Sequence, residues 1–132
     1  MSQANVEIVR DAFQAWYPND SEAFARRLDA EFEYHVTYGP ERGVHCGWEA
    51  TVAAFDHWQD VFSDYRWQAV EFIDAGEEHV IVPFIEHGLG QSSGVQIGQH
   101  PAFVCTMRRG RILRLTEYQT TAEALKAVGL EQ

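Results

Sequence analysis

A glutamate stands where an apolar residue is expected. In the stretch RILRLTEYQT (111–120), the two-residue period of a strand puts Leu113, Leu115, Glu117 and Gln119 on one face. Arg114, Thr116, Tyr118 and Thr120 take the other face. A carboxylate on an apolar face is costly unless it is paired or protonated. Two readings account for Glu117. In one it is a general acid or base toward an apolar, carbonyl-bearing substrate, its pKa raised toward neutrality by desolvation. In the other it is hydrogen-bonded to a neighbouring strand, or wetted at the mouth of a barrel. Glu86 shares a strand face with Val82 and Phe84, so the same pattern turns it inward unless the strand has already reached the rim. Two carboxylates in one cavity push their pKa values apart and divide acid and base roles. A shared structural proton gives the same pattern.

Around these acids stand residues of the right types to position a ligand. Tyr34 either donates to a ligand oxygen or packs its ring with its hydroxyl satisfied. Gln99 and Gln119 fall in phase with the inner face, where they orient a polar substrate edge or mark a wet mouth. Trp48, Phe55, Trp58, Phe84 and Phe103 are core and pocket wall. The six histidines (His35, His45, His57, His79, His87 and His100) show neither the spacing of zinc ligands nor an HEXXH motif, so no metal and no cofactor is expected. His35 and His100 alternate onto the outer face. There is no GxSxG elbow for a serine nucleophile. Cys105 falls on an inner strand face, where an inert buried thiol is the default.

Totals narrow the classes further. The chain has 132 residues, long enough for one domain (1–132) with a real core. Its formal net charge is −10, and it has no basic run, which argues against nucleic acid and against an anionic membrane surface. No apolar run reaches the length of a spanning helix, and no charged-then-apolar leader opens the sequence. Cys46 and Cys105 form no CxxC pair. A cytoplasmic chain with two reduced thiols is the expectation.

The elements that must hold these residues follow from periodicity. Val6, Val9, Phe13 and Trp16 make one face of a helix over 1–17. Asp20 caps a shorter helix through Phe24 and Leu28. Phe32, Tyr34, Val36 and Tyr38 share one side of a strand, and a loop punctuated by Pro40, Gly43 and Gly47 follows. A third helix carries Trp48, Val52, Phe55, Trp58 and Phe62. Strands are expected over 66–74 and 77–88, turning at Ala75-Gly76, then a flexible loop over 88–94. Two strands over 94–121 turn at Arg109-Gly110. Thr120 and Glu123 form a capping box for a closing helix that Gly129 ends. Helices segregated before a strand meander make an α+β domain. A curved, mostly antiparallel sheet wrapped around the long helix leaves a cavity suited to a small apolar ligand.

The segments NVEIVRDAF, NDSEAFARRLDAEFEYH, HCGWEATVAAF, EFIDAG and GRILRLTEY cover nearly the whole chain. On them it resembles the nuclear transport factor two-like (cystatin-like) superfamily, most closely its SnoaL-like, polyketide cyclase-like branch. The resemblance implies a cone-shaped barrel with a deep apolar pocket, assembled as a homodimer through the outer sheet face. Its members include isomerases, cyclases, hydrolases, dehydratases and proteins without chemistry, so fold does not settle function. Ketosteroid isomerases use a tyrosine, a base aspartate and a protonated aspartate. Ala12 or Phe13, Tyr34 and Phe103 fall at those positions, which argues against steroid isomerisation. SnoaL-like cyclases carry an acid on the last strand, where Glu117 falls. The histidine that often faces it is Phe103 here. The resemblance thus implies a cofactor-independent isomerase, cyclase or hydrolase using Glu117, with Glu86, Tyr34 and Gln119 positioning the substrate. The alternative is a non-catalytic ligand-binding or dimeric scaffold protein.

Overall fold

The computed structural model describes residues 2–16, 21–39, 42–61, 66–87 and 100–129, without the side chains of 2, 21, 57–61, 66, 86 and 87. Its elements are α1 (Ser2–Trp16), α2 (Ser21–Ala25), β1 (Leu28–Val36), β2 (Gly43–Cys46), α3 (Gly47–Val61), β3 (Arg66–Ala69), β4 (Ile73–Asp74), β5 (His79–His87), β6 (Ala102–Arg108), β7 (Arg111–Tyr118) and α4 (Thr121–Ala127). The strands form one curved, unclosed sheet in the order β2-β1-β7-β6-β5-β3, and β4 also pairs with β5. This is the expected α+β cone. All pairings are antiparallel except β1 with β7.

Apolar periodicity produces the inner layer. Val6, Val9, Ala12, Phe13 and Trp16, spaced by three and four, make a continuous buried stripe on α1. That stripe fills the concave face of the sheet, where it meets Phe32, Tyr34, Val36, Val80, Val82, Phe84, Phe103, Cys105 and Leu115. Rings dominate the contact. Phe13 lies 5.6 Å from Phe103, Trp16 lies 4.2 Å from Phe24, and Phe84 stacks on Phe103 at 4.4 Å with planes 16° apart. A ring buried this fully contributes about 2–3 kcal/mol through the area it removes from water.

The sheet has two faces, and α4 takes part of the second. Ala75, Ile81, Ala102, Val104 and Ala124 form a separate cluster on the convex side. The capping box starts α4 as expected: Glu123 N–H donates to Thr120 Oγ1 at 3.1 Å, and Thr120 N–H donates to Glu123 Oε1 at 3.2 Å. The Arg109-Gly110 turn also falls where expected, with φ of +54° and +75°.

Four expectations need correction. Leu28 opens β1 instead of ending α2, because the chain turns at 26–27. The loop before α3 contains β2, paired antiparallel to β1 with Tyr34 opposite His45. The strand expected over 66–74 breaks into β3 and β4. Pro83 explains the break: Val70 N–H reaches the Pro83 carbonyl at 2.8 Å, but proline has no N–H to return. In β7 a bulge between the pairs Thr106–Arg114 and Met107–Ile112 shifts the register. Ile112 is therefore wholly buried and Leu113 only partly, so the alternation fails before the bulge and holds from Leu115 onward.

Candidate functional site

The parallel pairing of β1 with β7 decides what meets Glu117. In that register Tyr34 lies beside Leu115 and Val36 beside Glu117. The two strands end together, so the residues after Val36 turn over the carboxylate. Thr37 locks the corner, donating both its N–H and its hydroxyl to the Glu117 carbonyl at 3.1 and 2.9 Å. Two residues past the strand, Tyr38 donates its phenol to Oε2 of Glu117 at 2.6 Å. Tyr34 donates its phenol to Oε1. Each carboxylate oxygen therefore accepts from a tyrosine, and hydrogen bonds of this kind stabilise the ionised form.

Glu117 is half-buried, Tyr38 is half-buried and Tyr34 is 4% exposed, so the cluster spans from the core to the surface. The Tyr34 ring stacks on Phe55 at 5.2 Å with planes 21° apart, and meets the half-buried His45 ring at 5.6 Å. Phe103 lies opposite Glu117 on β6. A carboxylate, two phenols and an imidazole thus gather where β1 and β7 end.

The structure brings together Glu117, Tyr34 and Phe55 from the residues singled out in the sequence. Trp48 is half-buried against Trp16 and Phe24, at 5.6 and 5.4 Å. Phe84 and Phe103 are wholly buried in the core, with 1% and 0% exposure, and stack on each other. β7 stops at Tyr118, and Gln119 sits in the bend beyond it, exposed, as the wet-mouth alternative has it. Gln99 lies outside the described residues, as do the side chains of Trp58 and Glu86. The Glu86 backbone lies on β5 opposite Trp67, with β6 between its strand and that of Glu117.

Two members of the cluster were not singled out. Tyr38 shares the alternation of Phe32, Tyr34 and Val36, which was the signal for it. His45 falls in the stretch read as a loop. Among the described residues no group of three histidine, cysteine, aspartate or glutamate side chains could hold a metal ion. Cys105 is wholly buried, which pushes its thiol far above the ordinary range, whereas Cys46 is exposed. The Cys105 thiol stays protonated and unreactive near neutral pH.

Helices set against a curved, unclosed sheet make a cone-shaped domain whose fold is that of nuclear transport factor two-like proteins. Residues 9–115 match the family model of the SnoaL-like domain, and the chain belongs to that family. Its fold is similar to that of Bal32a from a soil-derived mobile gene cassette, at 18% identity and a TM-score of 0.71 over 89% of each chain. It is similar to a protein of Sinorhizobium meliloti provisionally assigned as a polyketide cyclase, at 21% identity and a TM-score of 0.66 over 89% of this chain and 99% of that one. TerC, co-crystallised with polyporic acid, shares 18% identity with a TM-score of 0.69 over 95% of this chain and 98% of that one. Comparison with curated protein sequences gives no match.

Proposed function

We propose that the chain binds a small, largely apolar molecule bearing a carbonyl or acidic hydroxyl at the open end of the cone. Glu117 exchanges a proton with it, and no cofactor takes part. The observation that carries this reading is the half-buried Glu117 carboxylate with a phenol donating to each oxygen. As a base, Glu117 takes a proton from the carbon next to a carbonyl. The C–H electron pair moves onto the carbonyl oxygen and makes an enolate. The new carboxylic acid is a weaker acceptor, so Tyr34 and Tyr38 turn their hydroxyls to the enolate oxygen. Charge passes from one oxygen to another within reach of the same two donors, which lowers the barrier to the transfer. Returning the proton to a different atom gives isomerisation, and attack of the enolate on a second carbonyl gives ring closure. The co-crystallisation of TerC with polyporic acid supports a small organic ligand for this fold.

The test is deuterium exchange into the α-positions of a panel of aryl and cyclic ketones in D2O, followed by NMR. Wild-type protein should accelerate exchange of at least one member. Glu117→Gln should lose about 100-fold or more of that rate, the usual worth of a positioned base. Equal exchange by the two proteins ends the proton-transfer reading. A titration with polyporic acid, read by tryptophan fluorescence, reports binding separately.

One observation favours the alternative of a non-catalytic ligand-binding or dimeric scaffold protein. Phe13, Phe24, Trp67, Phe84 and Phe103 fill the interior ring against ring. On that reading the two phenols and Glu117 fasten β1 to β7. A homodimer through the outer sheet face would use the part that α4 leaves uncovered, where Glu33, His35, Arg114 and Thr116 lie in register.

A further inference from the structure

Two consecutive residues hold Glu117 at both of its ends. Thr37 directs both its donors to one acceptor, with its N–H 3.1 Å and its hydroxyl 2.9 Å from the Glu117 carbonyl. Tyr38 donates to the other end of the same residue, reaching Oε2 at 2.6 Å. Register accounts for the first contact. Val36 lies beside Glu117, so the Thr37 N–H carries the ladder between β1 and β7 one residue past the strand. Register does not require the hydroxyl. Thr37 is exposed, so water could take that bond with little effect on stability. A hydroxyl that instead joins an already bonded carbonyl fixes an angle.

The two phenols on Glu117 are held in different ways. Tyr34 lies within β1 at 4% exposure, with Phe55 at 5.2 Å and His45 at 5.6 Å, so packing sets its place. Tyr38 is half-buried in the bend beyond the strand. The chain turns directly after it: Gly39 has φ +80°, and its carbonyl accepts from Arg42 N–H at 3.2 Å. Tyr38 is therefore a single link between the Thr37 clamp and the Gly39 turn. A bond from the Thr37 N–H alone is a pivot, and rotation about it swings the phenol across the carboxylate. The hydroxyl adds a second point and stops the rotation. A donor serves a transition state only within about 0.5 Å and 10–20° of its productive place.

We propose that Thr37 is a positioning residue for the proton transfer at Glu117, its hydroxyl fixing the corner that keeps the Tyr38 phenol on Oε2. The inference rests on the reading of Glu117 as the group that exchanges the proton. Thr37 bonds the backbone of Glu117 and not its carboxylate, so its effect on the chemistry passes through Tyr38. As the proton moves to Glu117, the phenol must turn from the carboxylate to the enolate oxygen without leaving its place. A phenol on a loose corner meets that oxygen late or at the wrong angle, and the stabilisation is lost.

The experiment compares Thr37→Val, Tyr38→Phe and the double variant with wild type, and uses Thr37→Ser as the rescue. Valine keeps the branched shape and the N–H bond and removes only the hydroxyl. The first readout is deuterium exchange into the α-positions of β-tetralone, where Thr37→Val should lower kcat about tenfold and leave KM within about twofold. The second is the titration of the Glu117 carboxyl followed by carbon NMR, which needs no ligand. A loosened phenol stabilises the ionised carboxylate less, so Thr37→Val should titrate at higher pH than wild type. Thr37→Ser should match wild type in both. In the Tyr38→Phe background, Thr37→Val should change neither, because its effect runs through the missing phenol. Additive effects of the two substitutions, an unchanged titration in Thr37→Val, or a Thr37→Ser protein as slow as Thr37→Val would each overturn the proposal. Absence of exchange in wild type would instead end the proton-transfer reading, and the titrations of the four variants would still decide whether Thr37 places Tyr38.

Discussion

At the scale of single residues, Glu117 has two roles that pull stability in opposite directions. A carboxylate kept on an apolar face for chemistry is a liability, and replacing it with leucine would raise the melting temperature. A carboxylate that accepts from two tyrosines is an anchor, and replacing it strands its donors. For stability the geometry favours the second, whatever chemistry the carboxylate performs. Tyr34 is only 4% exposed, so its hydroxyl gains little from water when its carboxylate partner is gone. Glu117→Leu should therefore cost about 1–3 kcal/mol, which lowers the melting temperature by roughly 4–11 °C in a chain of this size. Adding Tyr34→Phe to Glu117→Leu should recover part of the loss, because the stranded hydroxyl leaves with it. Thermal denaturation of the single and double variants reads both effects. A Glu117→Leu protein that melts above wild type would show that the hydrogen bonds to the two phenols do not offset the cost of placing the carboxylate there.

At the scale of elements, strong periodicity was legible and strand partners were not. The stripe of α1, the capping box of α4 and the Arg109-Gly110 turn each announce themselves within a few residues. β2 does not: it has four residues, and Val44 is 54% exposed, so no burial pattern marks it. The bulge beside Leu113 and the break opposite Pro83 are consequences of pairing, invisible along one strand. The same holds for the candidate site. Glu117 stood out as an acid on an apolar face, but Tyr38 and His45 join it only through the pairings of β1 with β7 and with β2. At the other end of these strands, Arg108 on β6 reaches across β7 to Asp29 on β1. The guanidinium, followed by the Glu31 N–H, holds the Asp29 carboxyl below its ordinary value of 3.8. A lowered folded-state value means stability that is present above the unfolded value and is lost as pH falls through the folded one. Wild type should thus melt above Asp29→Asn at pH 5 to 7, and the gap should close below pH 3.8. A gap that stays constant down to pH 2.5 would show that the pair holds nothing across the sheet.

At the scale of the whole molecule, two opposing terms govern whether copies meet. The convex face carries an apolar cluster of Ala75, Ile81, Ala102 and Val104, which α4 covers through Ala124. The net charge of −10 keeps identical chains apart. Ala124 is wholly buried, so Ala124→Glu forces a charge into that contact, and undocking the short helix is the cheaper response. The uncovered face then presents Ile81 and Val104 beside strands already in a sheet, a surface suited to another copy. Repulsion between chains acts over about 10 Å at 0.1 M salt and only about 3 Å at 1 M. The Ala124→Glu protein should therefore self-associate more than wild type, and more strongly at high salt, as measured by light scattering. If charge dominated at every ionic strength, the variant would keep the mass of wild type across the series. If α4 stayed docked, dyes that bind exposed apolar surface would not distinguish the two proteins. The expected rise with salt separates both cases from an apolar face normally hidden by the chain's own last helix.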